Sequence, residues 1–163
     1  MITVLIPCYN EINTIEKLIN KILNLNNLEI EIIIIDNNST DGTKDILKNN
    51  LESKVSKIIY NDTNKGKGYS LKKGIKEATG DIILVQDADL EYDPNEYEKL
   101  CQPIVDDLAD VVYGSRFRSG DRSRVLFFWH SLGNQFLTFL SNMFTNLNLT
   151  DMETCYKLFK TEI

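Results

Sequence analysis

Residues 29–36, EIEIIIID, constrain the fold more than any other stretch of the chain. A strand with one wet face alternates apolar and polar residues. Here Ile32, Ile33, Ile34 and Ile35 follow one another, the pattern of a parallel sheet with helices over both faces. ITVLIP at 2–7, VSKIIYND at 55–62, DIILVQDAD at 81–89 and ADVVYGSRF at 109–117 read as further strands. Helical patterns lie between them. Ile15, Leu18, Ile19, Ile22 and Leu23 recur at helical spacing behind a cap at Asn13 or Thr14, with Glu16 in the first turn. KDILKNNL at 44–51 opens a second helix after the turn-forming NNSTDGT, and SLKKGIKEAT at 70–79, closed by Gly80, makes a third. PNEYEKLCQPIVDD at 94–107 is a fourth, which Pro94 can start and Pro103 can bend or end. The order βαβαβαβαβ predicts an α/β fold with a mainly parallel sheet, right-handed crossovers and flanking helices.

A chain of 163 residues, 42% hydrophobic and 26% charged, is expected to form one domain with a sizeable core, and it shows no internal repeat. Its net charge of -6 argues against a broad basic face, so no nucleic-acid partner is expected. An anionic partner must instead be held by a few placed cations or a metal. Cys8, Cys101 and Cys155 are odd in number and lack CxxC spacing, which points to a reducing cytosol rather than to a disulfide framework or a zinc site. The opening MITVLIPCYNE has no basic n-region, and no apolar run reaches membrane-spanning length.

In open sheets of this kind, ligands bind outside the carboxyl ends of the strands. Those ends are polar here: Pro7, Tyr9, Asn10 and Glu11; Asp36, Asn37 and Asn38; Asp87 and Asp89; Gly114, Ser115 and Arg116. In QDADLEYDP at 86–94, Asp87, Asp89 and Glu91 stand at alternate positions, and residues two apart on an extended chain share a side. Like charges so placed are unfavourable without a cation between them. Three hard oxygen ligands suit Mg2+ or Mn2+, with a nucleoside diphosphate completing the shell. A solvated acidic turn before Pro94 is the competing reading. GKGYSLKKG at 66–74 fits neither GxGxxG nor a P-loop; it lets backbone pass close to a nucleotide with Lys67 as a phosphate contact, or it is merely a tight turn. Arg116 can pair with a diphosphate or an acceptor phosphate through its planar fork, and Arg118, Arg122 and Arg124 around Gly120 continue a basic loop. His130, the only histidine, is assigned no role.

The stretches IPCYNE at 6–11, IIDNNSTDGT at 34–43, NKGKGYSLKKGI at 64–75, VQDADLEYDP at 85–94, YGSRF at 113–117 and DMETCYKLFK at 151–160, in this order, resemble the family 2 glycosyltransferases. Within that family, which has the GT-A fold, the chain is similar to the polyprenyl-phosphate (dolichol-phosphate) hexosyltransferases. The resemblance implies a nucleotide-sugar site at the carboxyl ends of the strands. In it Pro7, Tyr9, Glu11 and Asp36 hold base and ribose, Asp87 and Ala88 contact nucleotide or sugar, and Asp89 and Glu91 bind the metal. Glu91 stands where relatives often carry Gln, which adds charge to that site. The expected reaction moves a hexose from a UDP- or GDP-sugar to a polyprenyl phosphate at the cytoplasmic face of a membrane, with inversion.

A lipid phosphate is already an anionic nucleophile, so no general base is required. Asp87, Asp89, Arg116 and Arg124 then align the reactants and stabilise the leaving diphosphate. From Val125 to Thr150 there is no Asp, Glu, Lys or Arg, and Trp129, Leu132, Phe136, Met143 and Leu147, with Phe139 or Leu140, form a helical apolar stripe. A helix packed on the sheet is the expectation, with a surface near the bilayer as the second reading. Transfer to a saccharide hydroxyl and non-catalytic binding of a nucleotide sugar are the alternative functions. A nucleotidyltransferase is disfavoured because PCYNE replaces a Gly-rich loop after the first strand. Related enzymes usually continue beyond the position matching Ile163.

Overall fold

The computed structural model describes residues 1–117 and 128–163. Strands β1 (Ile2–Cys8), β2 (Ile30–Asp36), β3 (Lys57–Tyr60), β4 (Ile82–Val85), β5 (Val111–Tyr113) and β6 (Lys157–Lys160) form one sheet in the order β3-β2-β1-β4-β6-β5. The pairs β1–β2, β1–β4 and β2–β3 are parallel. The isoleucine run behaves as its continuity predicts. Ile32 and Ile34 enter one core with Ile15, Leu18, Ile19 and Ile22 of α1 (Ile15–Leu23), while Ile33 and Ile35 enter a second core on the opposite face, with Leu5 and Ile83.

The sheet departs from expectation at one point. β6 lies between β4 and β5 and is antiparallel to both, so β4 and β5 are not neighbours. Its KLFK is too short and too charged to announce a strand, but Leu158, fully buried beside Leu84, anchors it. Because β4 and β5 both oppose β6, they run the same way, and the carboxyl end of β5 stays on the edge shared with β1, β2 and β4. The amino end of β6 arrives at that same edge, bringing Asp151 to Tyr156 with it.

The second helix, α2 (Thr43–Ile46), widens into a π turn over Leu47–Leu51 that buries Leu47 and Leu51. α3 (Lys67–Glu77) stops short of Gly80, and α4 (Tyr97–Val105), entered through a 3-10 turn begun by Pro94, runs two residues past Pro103 before ending. α5 (Phe128–Thr145) overturns the expectation of a helix that packs its apolar stripe on the sheet. Trp129 is 77% exposed, Phe136 59% and Phe139 63%, and the buried side chains are polar, Asn134 and Thr138. The reason is that this helix turns inward toward a buried carboxylate, Asp151, rather than toward an apolar surface.

Gly114 closes β5 where no side chain fits. A Cβ there would lie 2.9 Å from Tyr156 Cβ and 3.1 Å from Leu100 Cδ2, and Tyr156 is fully buried. Gly114→Ala is expected to cost about 1–3 kcal/mol of stability by overpacking. Urea denaturation of the variant checks this, and an unchanged midpoint would show that β5 and β6 separate without strain.

Candidate active site

Crossovers lead from β1 outward to β2 and β3, then return past β1 to β4. The crevice between the ends of β1 and β4 is thus the point where the strand order reverses, where open sheets place ligands. A cavity of about 180 Å³ lies there, lined by Pro7, Cys8, Tyr9 and Glu11 from β1 and its loop, Asn37 beyond β2, Lys67 and Ser70 of α3, and Asp87, Ala88 and Asp89 beyond β4. A larger cavity, about 730 Å³, sits at the opposite edge among Met1, Glu29, Asp81 and Val105, away from the residues singled out above.

The loop after β1 is held by the loop after β2. Asn10 adopts a left-handed backbone with φ 59°. Its side-chain oxygen accepts from Thr40 N at 2.8 Å, and its own N–H donates to Ser39 Oγ at 2.9 Å. Glu11 N donates to Thr43 Oγ1 at 2.9 Å and Ile12 N to Asp41 at 3.2 Å. Thr14 is the cap residue of α1, though its hydroxyl donates to the Glu11 carboxylate at 2.5 Å and accepts no hydrogen bond from the first N–H groups of the helix. NNSTDGT is therefore a scaffold for Tyr9 and Glu11. Asp36 begins it: the carboxylate is fully buried and accepts from Asn38 N at 3.1 Å and Ser39 N at 3.2 Å, so it supports the turn and is not part of the cavity wall.

The three acidic residues after β4 are not arranged as alternation predicts. The strand ends at Val85 and the chain bends from Ala88 to Tyr92, so the extended geometry that would align positions 87, 89 and 91 is lost. Asp87 and Asp89 line the cavity, and Asp87 is ion-paired with Lys67. Glu91 lies outside the wall, and its N–H donates to Asp89 Oδ1 at 2.9 Å. Among the described residues, no three His, Cys, Asp or Glu side chains are grouped to hold a metal ion by themselves. The acidic field is nonetheless present. Burial first, then the charges of Glu91, Asp87 and Glu11, push the Asp89 carboxyl above its usual value, against one hydrogen bond that lowers it. A cation is the group this cluster is suited to.

Arg116 stands at the end of β5. Its Nε and Nη2 donate side-on to Asp151 at 2.8 and 2.9 Å, its backbone N donates to the same carboxylate at 3.1 Å, and Asn134 Nδ2 adds a fourth contact at 3.1 Å. Burial alone would raise the Asp151 pKa, but the bonds from Arg116 and Asn134 hold it below the usual range. Cys155 N donates to Tyr92 Oη at 3.0 Å, and Lys67 Nζ lies 3.8 Å from Cys155 Sγ. Burial pushes that thiol up to about 12, so it is not a nucleophile here. The sequence reading missed Ser70, Tyr92, Asn134, Asp151 and Cys155. The signal for the last two was DMETCYKLFK, informative only once β6 is known to reach this edge. Arg118, Arg122 and Arg124 lie outside the described residues.

The family model for glycosyl transferase family 2 matches residues 3–163. Dolichol-phosphate mannosyltransferase of Pyrococcus furiosus is 34% identical over 74% of this chain and 34% of its own length. The UDP-N-acetylglucosamine--dolichyl-phosphate N-acetylglucosaminyltransferase of Methanococcus voltae is 30% identical over 98% of this chain and 69% of its own. The chain thus spans about a third of the first relative and about two thirds of the second. Among solved structures, glucosyl-3-phosphoglycerate synthase from Mycobacterium tuberculosis, in complex with Mn2+, UDP and glucosyl-3-phosphoglycerate, superposes with a TM-score of 0.69 at 20% identity, over 99% of this chain and 57% of that one. The likeness is one of fold, and the fold is GT-A, as the resemblance implied. No helix among the described residues is long and apolar enough to cross a membrane.

The Arg116–Asp151 pair, with its carboxylate buried, makes stability depend on pH. The folded Asp151 pKa lies below its ordinary 3.8, so the contribution is complete above that value and is lost as pH falls through the folded pKa. Wild type and Asp151→Asn should therefore differ most in urea denaturation near about pH 7, and the gap should narrow progressively as pH falls below the ordinary carboxylate value of 3.8. A gap independent of pH would show that the carboxylate charge is not what stabilises the pair.

Proposed function

The chain belongs to glycosyl transferase family 2, and from that premise we propose that it moves a hexose from a UDP- or GDP-sugar to a polyprenyl phosphate of dolichol type. The observation that carries this reading is the crevice at the β1–β4 switch point, where an aromatic ring, three carboxylates and a lysine meet on one wall. Relatives named for transfer to dolichol phosphate support the acceptor.

In this reading Pro7, Tyr9 and Glu11 receive the nucleoside, with Tyr9, 46% exposed, offering a ring face for stacking. Asp36 acts from below by fixing the turn that carries Asn37 into the wall. Ala88 lets the donor sugar approach the backbone between Asp87 and Asp89. These two carboxylates fit Mg2+ or Mn2+, which binds through one or two carboxylates and draws its other ligands from phosphate. Glu91 contributes charge from outside the wall. When bound, the ion supplies charge neutralisation for the departing diphosphate. Lys67, beside Asp87, is assigned to a diphosphate oxygen, and Arg116 to a phosphate of donor or acceptor. Arg124, in the basic stretch RFRSGDRSR at 116–124, is assigned to the acceptor phosphate. Since that phosphate is already ionised, the residues' task is alignment and charge stabilisation, and the anomeric carbon inverts by in-line attack. The uncharged outer face of α5, with Trp129, Phe136 and Phe139, is assigned to the bilayer surface where such an acceptor lies.

Two measurements test this. Calorimetry should show UDP or GDP binding with Mn2+ that excess chelator abolishes, and Asp89→Asn should weaken it by about tenfold or more, since one charge-assisted ligand is lost. Equal affinity with and without chelator would sink the metal. Radiolabelled nucleotide sugar should then pass to a short polyprenyl phosphate, and transfer to a saccharide hydroxyl alone would replace the lipid acceptor.

A further inference from the structure

Asp151 is 1% exposed and lies outside the cavity wall, yet four donors converge on it. Three of them belong to one residue, Arg116, whose backbone and guanidinium are thus fixed to a single carboxylate. The approach is side-on through Nε and Nη2, so among the described residues Nη1 and the second Nη2 hydrogen are not engaged by Asp151, on a side chain 26% exposed. The remaining support comes from α5. Asn134 donates to Asp151, Thr138 Oγ1 is 3.4 Å from Asn134 Oδ1, and Met152 N donates to Thr138 Oγ1 at 3.2 Å. Asn134 and Thr138 are also the buried polar side chains of that helix, so its inward face serves the carboxylate rather than the sheet.

We propose that Asp151 is a positioning residue for the transfer reaction: with Asn134 behind it, it aims the free edge of the Arg116 guanidinium at a substrate phosphate oxygen. This rests on the reading of Arg116 as a phosphate-binding group given above. A paired arginine carries little net charge and attracts anions weakly. It is, however, pre-oriented, and loses little rotamer freedom when an oxyanion arrives. Asp151 therefore exchanges attraction for direction, and its removal should have opposite effects on binding and on transfer.

The experiment is a double-mutant cycle in the full chain. Asp151→Asn keeps the volume and one acceptor oxygen but removes the charge. Single-turnover transfer to a short polyprenyl phosphate should slow by ~10- to 100-fold through loss of alignment. Affinity for UDP or GDP with Mn2+ should stay the same or tighten, since Arg116 becomes an uncompensated cation. In an Arg116→Ala background, Asp151→Asn should bring no further loss of transfer. An equal loss in both backgrounds, tracking stability, would overturn the proposal. If Asp151→Asn does not fold, Asn134→Ala takes its place in the cycle, with the same pattern at smaller amplitude.

A second readout does not need turnover. In the 18.7 kDa chain, the Arg116 Nε–H resonance, assigned by its absence in Arg116→Lys, should be protected from exchange and should shift on adding inorganic pyrophosphate with Mg2+. In Asp151→Asn, or in Asn134→Ala to a lesser extent, it should broaden. A resonance indifferent to pyrophosphate, or unaffected by these substitutions, overturns the proposal whatever the enzyme transfers. A resonance that behaves as expected in a protein inactive toward polyprenyl phosphate upholds it and removes the lipid acceptor instead.

Discussion

Everything at the candidate site depends on β1 being buried on both faces and paired in parallel on both edges. A strand so enclosed reaches solvent only along its axis, and its one polar side chain short of that end, Thr3, is buried and hydrogen-bonded to Glu31 and Gly80. Val4, Leu5 and Ile6 are fully buried, and the first residue that reaches the crevice is Pro7. Because β2 and β4 run parallel to it, their polar continuations emerge at the same edge. Burial thus brings Tyr9, Glu11, Asn37, Asp87 and Asp89 to one edge.

Such an edge would be floppy if its loops were merely solvated. Instead Asn10, Ser39, Thr40, Asp41 and Thr43 bind the first loop to the second, largely through side-chain oxygens that accept from backbone N–H groups. Short Ser, Thr, Asn and Asp side chains are suited to this, since each replaces a missing ladder partner at low conformational cost. The buried Asp36 applies the same device one layer down. The polar turn is therefore structural in its side chains and functional in what it positions.

How much of this was legible in the sequence varies with the range of the interaction. EIEIIIID announced its environment because burial on two faces is written residue by residue, and the polar strand ends announced the edge. The alignment of Asp87, Asp89 and Glu91 was misread because alternation holds only while the chain is extended, and β4 stops two residues before the first of them. The stripe on α5 was misread for a different reason. Apolar periodicity identifies a helix face but not which way it turns, and here Asn134, in contact with Asp151 seventeen positions away, decides the orientation. β6 left almost no local trace, since KLFK becomes a strand only between two others.

Two of the described cations on this side of the sheet, Lys67 and Arg116, share a feature that bears on selectivity, which Lys157, donating to the Thr154 carbonyl, does not. Lys67 is paired with Asp87 and Arg116 with Asp151, so each arrives already neutralised. A chain of net charge -6 that bound anions through free lysines and arginines would have to concentrate them in a patch, and such a patch would hold any anionic surface. Paired cations act differently. They present N–H groups at fixed positions and reward an oxyanion only where it meets them, most strongly where a divalent ion compensates the carboxylates on the same wall. Under the proposed transfer, discrimination between a phosphate seated in the crevice and one passing in solution would reside in geometry rather than in charge, as alignment without a general base demands.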